Sequence, residues 1–187
     1  RRDGQVPVLR LPWAADPLPA GEWDTEVRLP LRPDAVDAVR AALASLDPVL
    51  LLALPALRSI DAGGRVLSRV DDAGAVVLTD GQTVSRWVVR SVTGVLAGDL
   101  LATRPAEERD RPEWTVSWAV PVDAADRPVP PPNRPVVHAP TPTDEPLSLP
   151  AVLLGTFPLA SDRRHVTPGP VTDVLVAAAG RLYADLV

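Results

Sequence analysis

A chain of 187 residues that is 46% hydrophobic can bury about 70% of the surface its unfolded form exposes, so it reads as globular, one domain or one domain and a fragment. A net charge of −5 argues against nucleic acid as a partner, because phosphate binding needs a concentrated basic surface. The absence of cysteine excludes disulfides and thiolate metal sites and agrees with a cytoplasmic setting.

No apolar run is long enough to span a bilayer, Val49 to Leu54 being among the longest, and Arg1-Arg2-Asp3-Gly4 is not followed by a signal-peptide core. All 19 basic residues are arginine. With abundant Ala, Val and Pro, this is the composition expected from a GC-rich bacterial genome.

In chain order, Val6 to Leu11 and Thr25 to Leu31 read as strands, the second because Val27, Leu29 and Leu31 alternate with polar residues. Pro33 to Leu46 reads as a helix: Pro33 suits its first turn, Asp34 and Asp37 favour its positive end, and Val36, Val39, Leu43 and Leu46 share a face. Asp47-Pro48 ends it. A meander is expected next, with strands at Arg65 to Val70, Ala75 to Leu78 and Thr83 to Val89, punctuated by turns at Asp71 to Gly74 and Asp80-Gly81.

Leu96 to Glu108 reads as a short helix broken at Arg104-Pro105, and Trp114 to Val120 as a strand whose Trp114, Val116, Trp118 and Val120 face the core. The proline-rich stretch Ala124 to Asn133 is a connector, and Arg134 to Ala139 re-enters as a strand. His138 and His165, the two histidines, lack the spacing of paired metal ligands and are expected in loops.

Leu149 to Arg164 carries an apolar strand toward two adjacent arginines, Arg163 and Arg164, which precede a helix marked by Val171, Val174, Leu175, Ala178, Leu182 and Leu186. Cations beside the positive end of a helix are disfavoured unless an anion lies between them, so the pair points to an anion. The alternative is a solvated pair anchoring the loop to Asp162 or Asp173. Ser161, Asp162 and His165 do not read as a hydrolytic triad, because residues crowded into one loop cannot align nucleophile, base and orienting group.

The stretch from His138 to Arg164, with its Thr-rich lead into Phe157-Pro-Leu-Ala-Ser-Asp-Arg-Arg164, resembles the sacsin-like ATPases. Upstream, Asp24-Thr-Glu-Val-Arg-Leu-Pro-Leu-Arg32 resembles the strand that closes the ATP-binding domain of that family, and Leu50 to Ile60 resembles the segment after it. Phe157 to Arg163 is similar to the catalytic loop of the heat-shock protein 90 middle domain, although Thr167 stands where that family has glutamine. The expected fold is therefore α+β, a mixed, largely antiparallel sheet with flanking helices, resembling the heat-shock protein 90 middle domain.

The resemblance implies that residues 1–47 hold the last strands and exit helix of a truncated ATPase domain and that residues 48–187 form a middle-domain-like segment. It implies ATP and Mg²⁺ in a parent chaperone, with none bound by this fragment alone, an upstream ATP-binding domain and protein clients as partners, and a dimeric parent. Arg163 takes the catalytic and nucleotide-binding role in this comparison, with Arg164 as second catalytic candidate. A guanidinium stays charged and offers a planar donor fork to two phosphate oxygens. The other readings are a non-catalytic interaction or scaffold domain with the same fold and a stand-alone enzyme of unknown chemistry.

Overall fold

The computed structural model describes residues 24–25, 27–102, 104 and 106–186. The chain divides between Val39 and Arg40 into two units. In the first, the described residues from Asp24 to Arg32 carry no strand, and Val27 and Leu29 are exposed. This corrects the strand expected over Thr25 to Leu31. Alternation alone does not make a strand, because the backbone donors and acceptors need a neighbouring ladder. The other expected strand, Val6 to Leu11, lies outside the described residues. A 3₁₀ turn at Pro33–Ala35 leads into helix α1, Val36–Ala44, close to the helix expected there.

The second unit is built on one open sheet of eight strands in the order β1-β2-β3-β4-β5-β8-β6-β7. Strands β1 (Ser59–Ala62), β2 (Arg65–Asp72), β3 (Ala75–Asp80) and β4 (Thr83–Val95) form successive antiparallel hairpins. Each closes on two residues. Ala73 and Gly74 sit at φ 45° and 85°, the left-handed geometry that matches the twist of the flanking strands. Strand β5 (Glu113–Val122) pairs along the whole upper part of β4, and a short helix at Gly98–Ala102 lies in the connection between them.

Strands β6 (Val136–His138), β7 (Pro142–Pro146) and β8 (Val152–Gly155) complete the sheet. β8 pairs antiparallel with β5 but parallel with β6, so the sheet is mixed and largely antiparallel, as expected. β7 was not anticipated; its sequence Pro-Thr-Asp-Glu-Pro has no apolar alternation, and it is held as an edge beside β6. His138 ends β6 and is buried, which corrects its reading as a loop residue.

Two apolar clusters lie on opposite faces. One face of β5 presents Val116 and Trp118 to the C-terminal helix Pro170–Ala184, whose Val171, Leu175 and Ala179 fill the contact. The opposite face presents Ala119, beside Leu154 and Trp87, to Leu51 and Leu52 of the short helix Leu50–Ala53. In chain order the helices after α1 are α2 (Leu50–Ala53), α3 (Gly98–Ala102) and α4 (Pro170–Ala184).

Trp118 ties sheet to helix in two ways. Its indole Nε1 donates to the Ala179 carbonyl at 2.8 Å, and its ring meets Tyr183 edge-on with centroids 5.2 Å apart. On β4, Gly94 stands directly opposite Trp114, and a Cβ there would collide with the indole, so glycine is required by the ring.

Trp118→Phe keeps an aromatic ring but removes the buried donor. Urea denaturation is expected to show a loss of about 1–3 kcal/mol, the cost typical of a broken buried hydrogen bond. An unchanged midpoint would mean that the indole contact to Ala179 contributes nothing.

Candidate functional site

After β8 the chain cannot continue as a strand, because Pro158 removes a ladder donor, and it enters a narrow excursion closed by the bridge between Leu159 and Val166. Inside it the Ala160 amide donates to the His165 carbonyl and the Arg163 amide to the Ala160 carbonyl, both at 2.9 Å. The arginine pair therefore stands at the tip of a loop and not at the end of the strand. Val166 to Gly169 separates it from α4.

Asp162 organises the tip. Its Oδ1 accepts the Arg164 amide at 2.8 Å and the His165 amide at 3.3 Å, and its Oδ2 meets His165 Nδ1 at 2.7 Å. The Arg164 amide, followed by the His165 ring, holds the Asp162 carboxyl down to about 2. The same carboxylate raises the His165 imidazole above its ordinary 6.5. Asp162 and His165 thus meet, but Ser161 makes no hydrogen bond to His165, and no hydrolytic triad is assembled among the described residues.

The two arginines differ. Arg164 is clamped to Asp144 of β7, through Nη2 to Oδ1 at 3.0 Å and Nε to Oδ2 at 2.9 Å, while the Asp144 amide donates to the Arg164 carbonyl at 2.8 Å. The anion that the paired cations call for is, for Arg164, this carboxylate of the chain itself. Asp162 reinforces it by charge and by accepting the Arg164 amide. Arg163 sits at φ 57°, a left-handed conformation uncommon for a residue with a Cβ. Its guanidinium makes no hydrogen bond or ion pair among the described residues, and it points from an exposed tip.

A second polar assembly occupies the sheet face opposite α4. Ser91, Ser117, Leu154 and His138 stand in one cross-strand row over β4, β5, β8 and β6. Ser91 Oγ and Ser117 Oγ are 2.7 Å apart. Burial pushes the His138 imidazole below its ordinary 6.5, so it is neutral at physiological pH. Its Nδ1 has no hydrogen-bond partner. These residues line a pocket of about 580 Å³ that Arg69 of β2 also enters.

The arginine loop was legible from the charged doublet beside a helix pattern. The row was not, although Thr115 and Ser117 alternating against the tryptophans did mark a polar face on β5. What hid it is that the row is assembled across four strands far apart in the chain, with Ser117 and His138 buried and Ser91 exposed. For ATP the loop offers one free guanidinium and not a phosphate cradle. Among the described residues no group of three or more His, Cys, Asp or Glu is arranged to hold a metal ion, and no helix is long and apolar enough to cross a membrane.

The Asp162–His165 pair sets a pH window for the loop. Asp162, depressed in the fold, contributes above its unfolded value of 3.8, and that contribution is lost as pH falls toward about 2. His165, raised in the fold, contributes fully below 6.5 and loses its contribution as pH rises through the folded value. The clamp is therefore tightest between roughly pH 4 and 6.5. An NMR titration of the His165 ring is expected to show Asp162→Asn moving its pKa down toward 6.5; no movement would mean that the pair does not form.

Compared with known proteins, the chain matches no family model, no curated protein and no solved structure.

Proposed function

We propose that this chain is the middle segment of a sacsin-like, heat-shock protein 90-like ATP-dependent molecular chaperone of the cytoplasm. Its part is to complete an ATPase site whose nucleotide and Mg²⁺ are held by an upstream domain, and to couple that site to partner or client binding. The observation that supports this most directly is the contrast within the arginine pair. Arg164 spends its charge on Asp144, whereas Arg163 is held out on a braced tip with its charge unspent. A site that completes another domain's chemistry needs such a group, since a guanidinium presented from a fixed backbone can meet charge developing on a departing γ-phosphoryl without reorganising. Arg164 becomes the residue that positions the loop.

The scaffold reading draws on a different surface. α4 covers only one half of its sheet face; on β2 and β4, Val66, Val70 and Val84 of that face remain exposed. Exposed apolar side chains on a sheet face are a feature of protein-interaction sites, although here Ser68 and Thr79 stand among the valines, and this reading needs no nucleotide at all.

In the full-length protein, Arg163→Ala is expected to lower ATP turnover by about tenfold or more with nucleotide affinity unchanged within a few-fold, because the contact is made in the transition state and affinity is set elsewhere. Arg163→Lys should recover only part of the rate, since an ammonium lacks the two-pronged fork. Arg164→Ala should reduce turnover less and do so by loosening the loop, visible as faster amide exchange at Asp144 and Arg164. Unchanged turnover in Arg163→Ala would remove the catalytic reading and leave the scaffold.

A further inference from the structure

Beside α4, on the same face of the sheet, lies a groove that the arginine pair does not line. Its volume of about 570 Å³ falls within the ordinary range for small-molecule sites, about 300–1,000 Å³. Trp118, Leu153 and Val137 form one cross-strand row over β5, β8 and β6 along its sheet side, and Leu147 and Phe157 add to the apolar lining. On the α4 side stands Val176, a large apolar residue left 55% exposed.

The polar side chains on the lining are Trp118, Glu145, Thr172 and Asp173. The two donors among them are spent inside the protein, Trp118 Nε1 on the Ala179 carbonyl at 2.8 Å and Thr172 Oγ1 on the Thr167 carbonyl at 2.7 Å. What remains is acceptors. Glu145 Oε1 takes the Val166 amide at 3.2 Å, which leaves Oε2 open, and the Asp173 carboxylate has no hydrogen bond or ion pair among the described residues. No basic side chain lines the groove. Arg164 is bonded to Asp144, and His165 feels the charge of Glu145 but bonds through its ring to Asp162. An occupant therefore has to bring both the donors and the positive charge.

Both carboxylates are tied to one short stretch of wall. Glu145 bonds to Val166, Thr172 bonds to the next residue, Thr167, and Asp173 directly follows Thr172. Consecutive Cα atoms are about 3.8 Å apart, so these contacts hold the Glu145 carboxylate and the first turn of α4 on the order of 10 Å from each other, the width of one small molecule. Their roles differ. Asp173 stands in that first turn, where its charge also offsets the positive end of the helix. Glu145, half-buried on β7, has no helix end to offset and is the seat for a cation.

We propose that this groove binds a small primary amine with an apolar body, its ammonium on Glu145 with Asp173 as second acceptor, and its body against the apolar lining around Val176. The site uses neither Arg163 nor a nucleotide and stands whether or not the chain serves an ATPase.

The test is titration of the full chain with 2-phenylethylamine, followed by calorimetry and by the Val166 amide resonance, which reports on its bond to Glu145. Of the comparison probes, 2-phenylethanol lacks the charge and ethylamine lacks the body. Saturable 2-phenylethylamine binding at or below about 1 mM is expected, with movement of the Val166 resonance. Binding should be about tenfold or more weaker for 2-phenylethanol, for ethylamine, and for 2-phenylethylamine in Glu145→Gln, where the side-chain oxygen can still take the Val166 amide but the charge is gone. Glu145 also braces the loop, so Asp173→Asn supplies a second variant, expected to weaken 2-phenylethylamine but not 2-phenylethanol. Equal affinity for amine and alcohol, amine binding unchanged in Glu145→Gln, or no saturable change up to about 10 mM would each overturn the proposal.

Discussion

β5 is buried on both faces, and the rest of the second unit depends on that. Alternate residues of one strand serve two separate cores: Val116 and Trp118 belong to the α4 side, Ala119 to the α2 side. Large residues on one face and small ones on the other let α2 approach closely while α4 is held off by an indole. The hydrogen bond from Trp118 to Ala179 then fixes α4 along its axis, which apolar contact alone would not do, because burial is non-directional and a stripe of valines and leucines tolerates sliding.

Both sites descend from this arrangement. The small-residue face of β5 leaves room for the row of Ser91, Ser117 and His138 on the α2 side of the sheet, where Ser117 and His138 are buried and Ser91 is exposed. On the other side of β8, the chain must travel from the sheet to the start of α4, and the loop that carries Arg163 is that connection. A single ladder position links them: Phe157 packs over Gly155, where any side chain would meet its ring, and lines the pocket just before the chain turns into the loop.

Legibility in the sequence followed from how local the cause was. The hairpins at Asp71 to Gly74 and Asp80-Gly81, the strand around Trp118 and the helix marked by Leu175 and Ala178 could all be read, because each is dictated by neighbours within a few residues. β7 was missed, since its place is fixed by β6 and not by its own pattern. Thr25 to Leu31 failed in the opposite sense, with a clear pattern and no strand formed among its described residues. Arg163 and Arg164 were seen as a pair, yet what separates their roles is Asp144, twenty residues upstream of Arg164. His138 gave no signal, because its burial depends on the parallel pairing of β6 with β8.

The backbone contact between Asp144 and Arg164 does more than hold an arginine. β7 is a sheet edge, and an edge strand offers its unpaired groups to any passing chain. Here an outward amide of that edge is taken by the loop, and Val166 adds a further bond to Glu145. Swinging the loop outward would strip the edge of its cover. The tip is therefore a fixed post and not a flap, and whatever Arg163 engages has to travel to it.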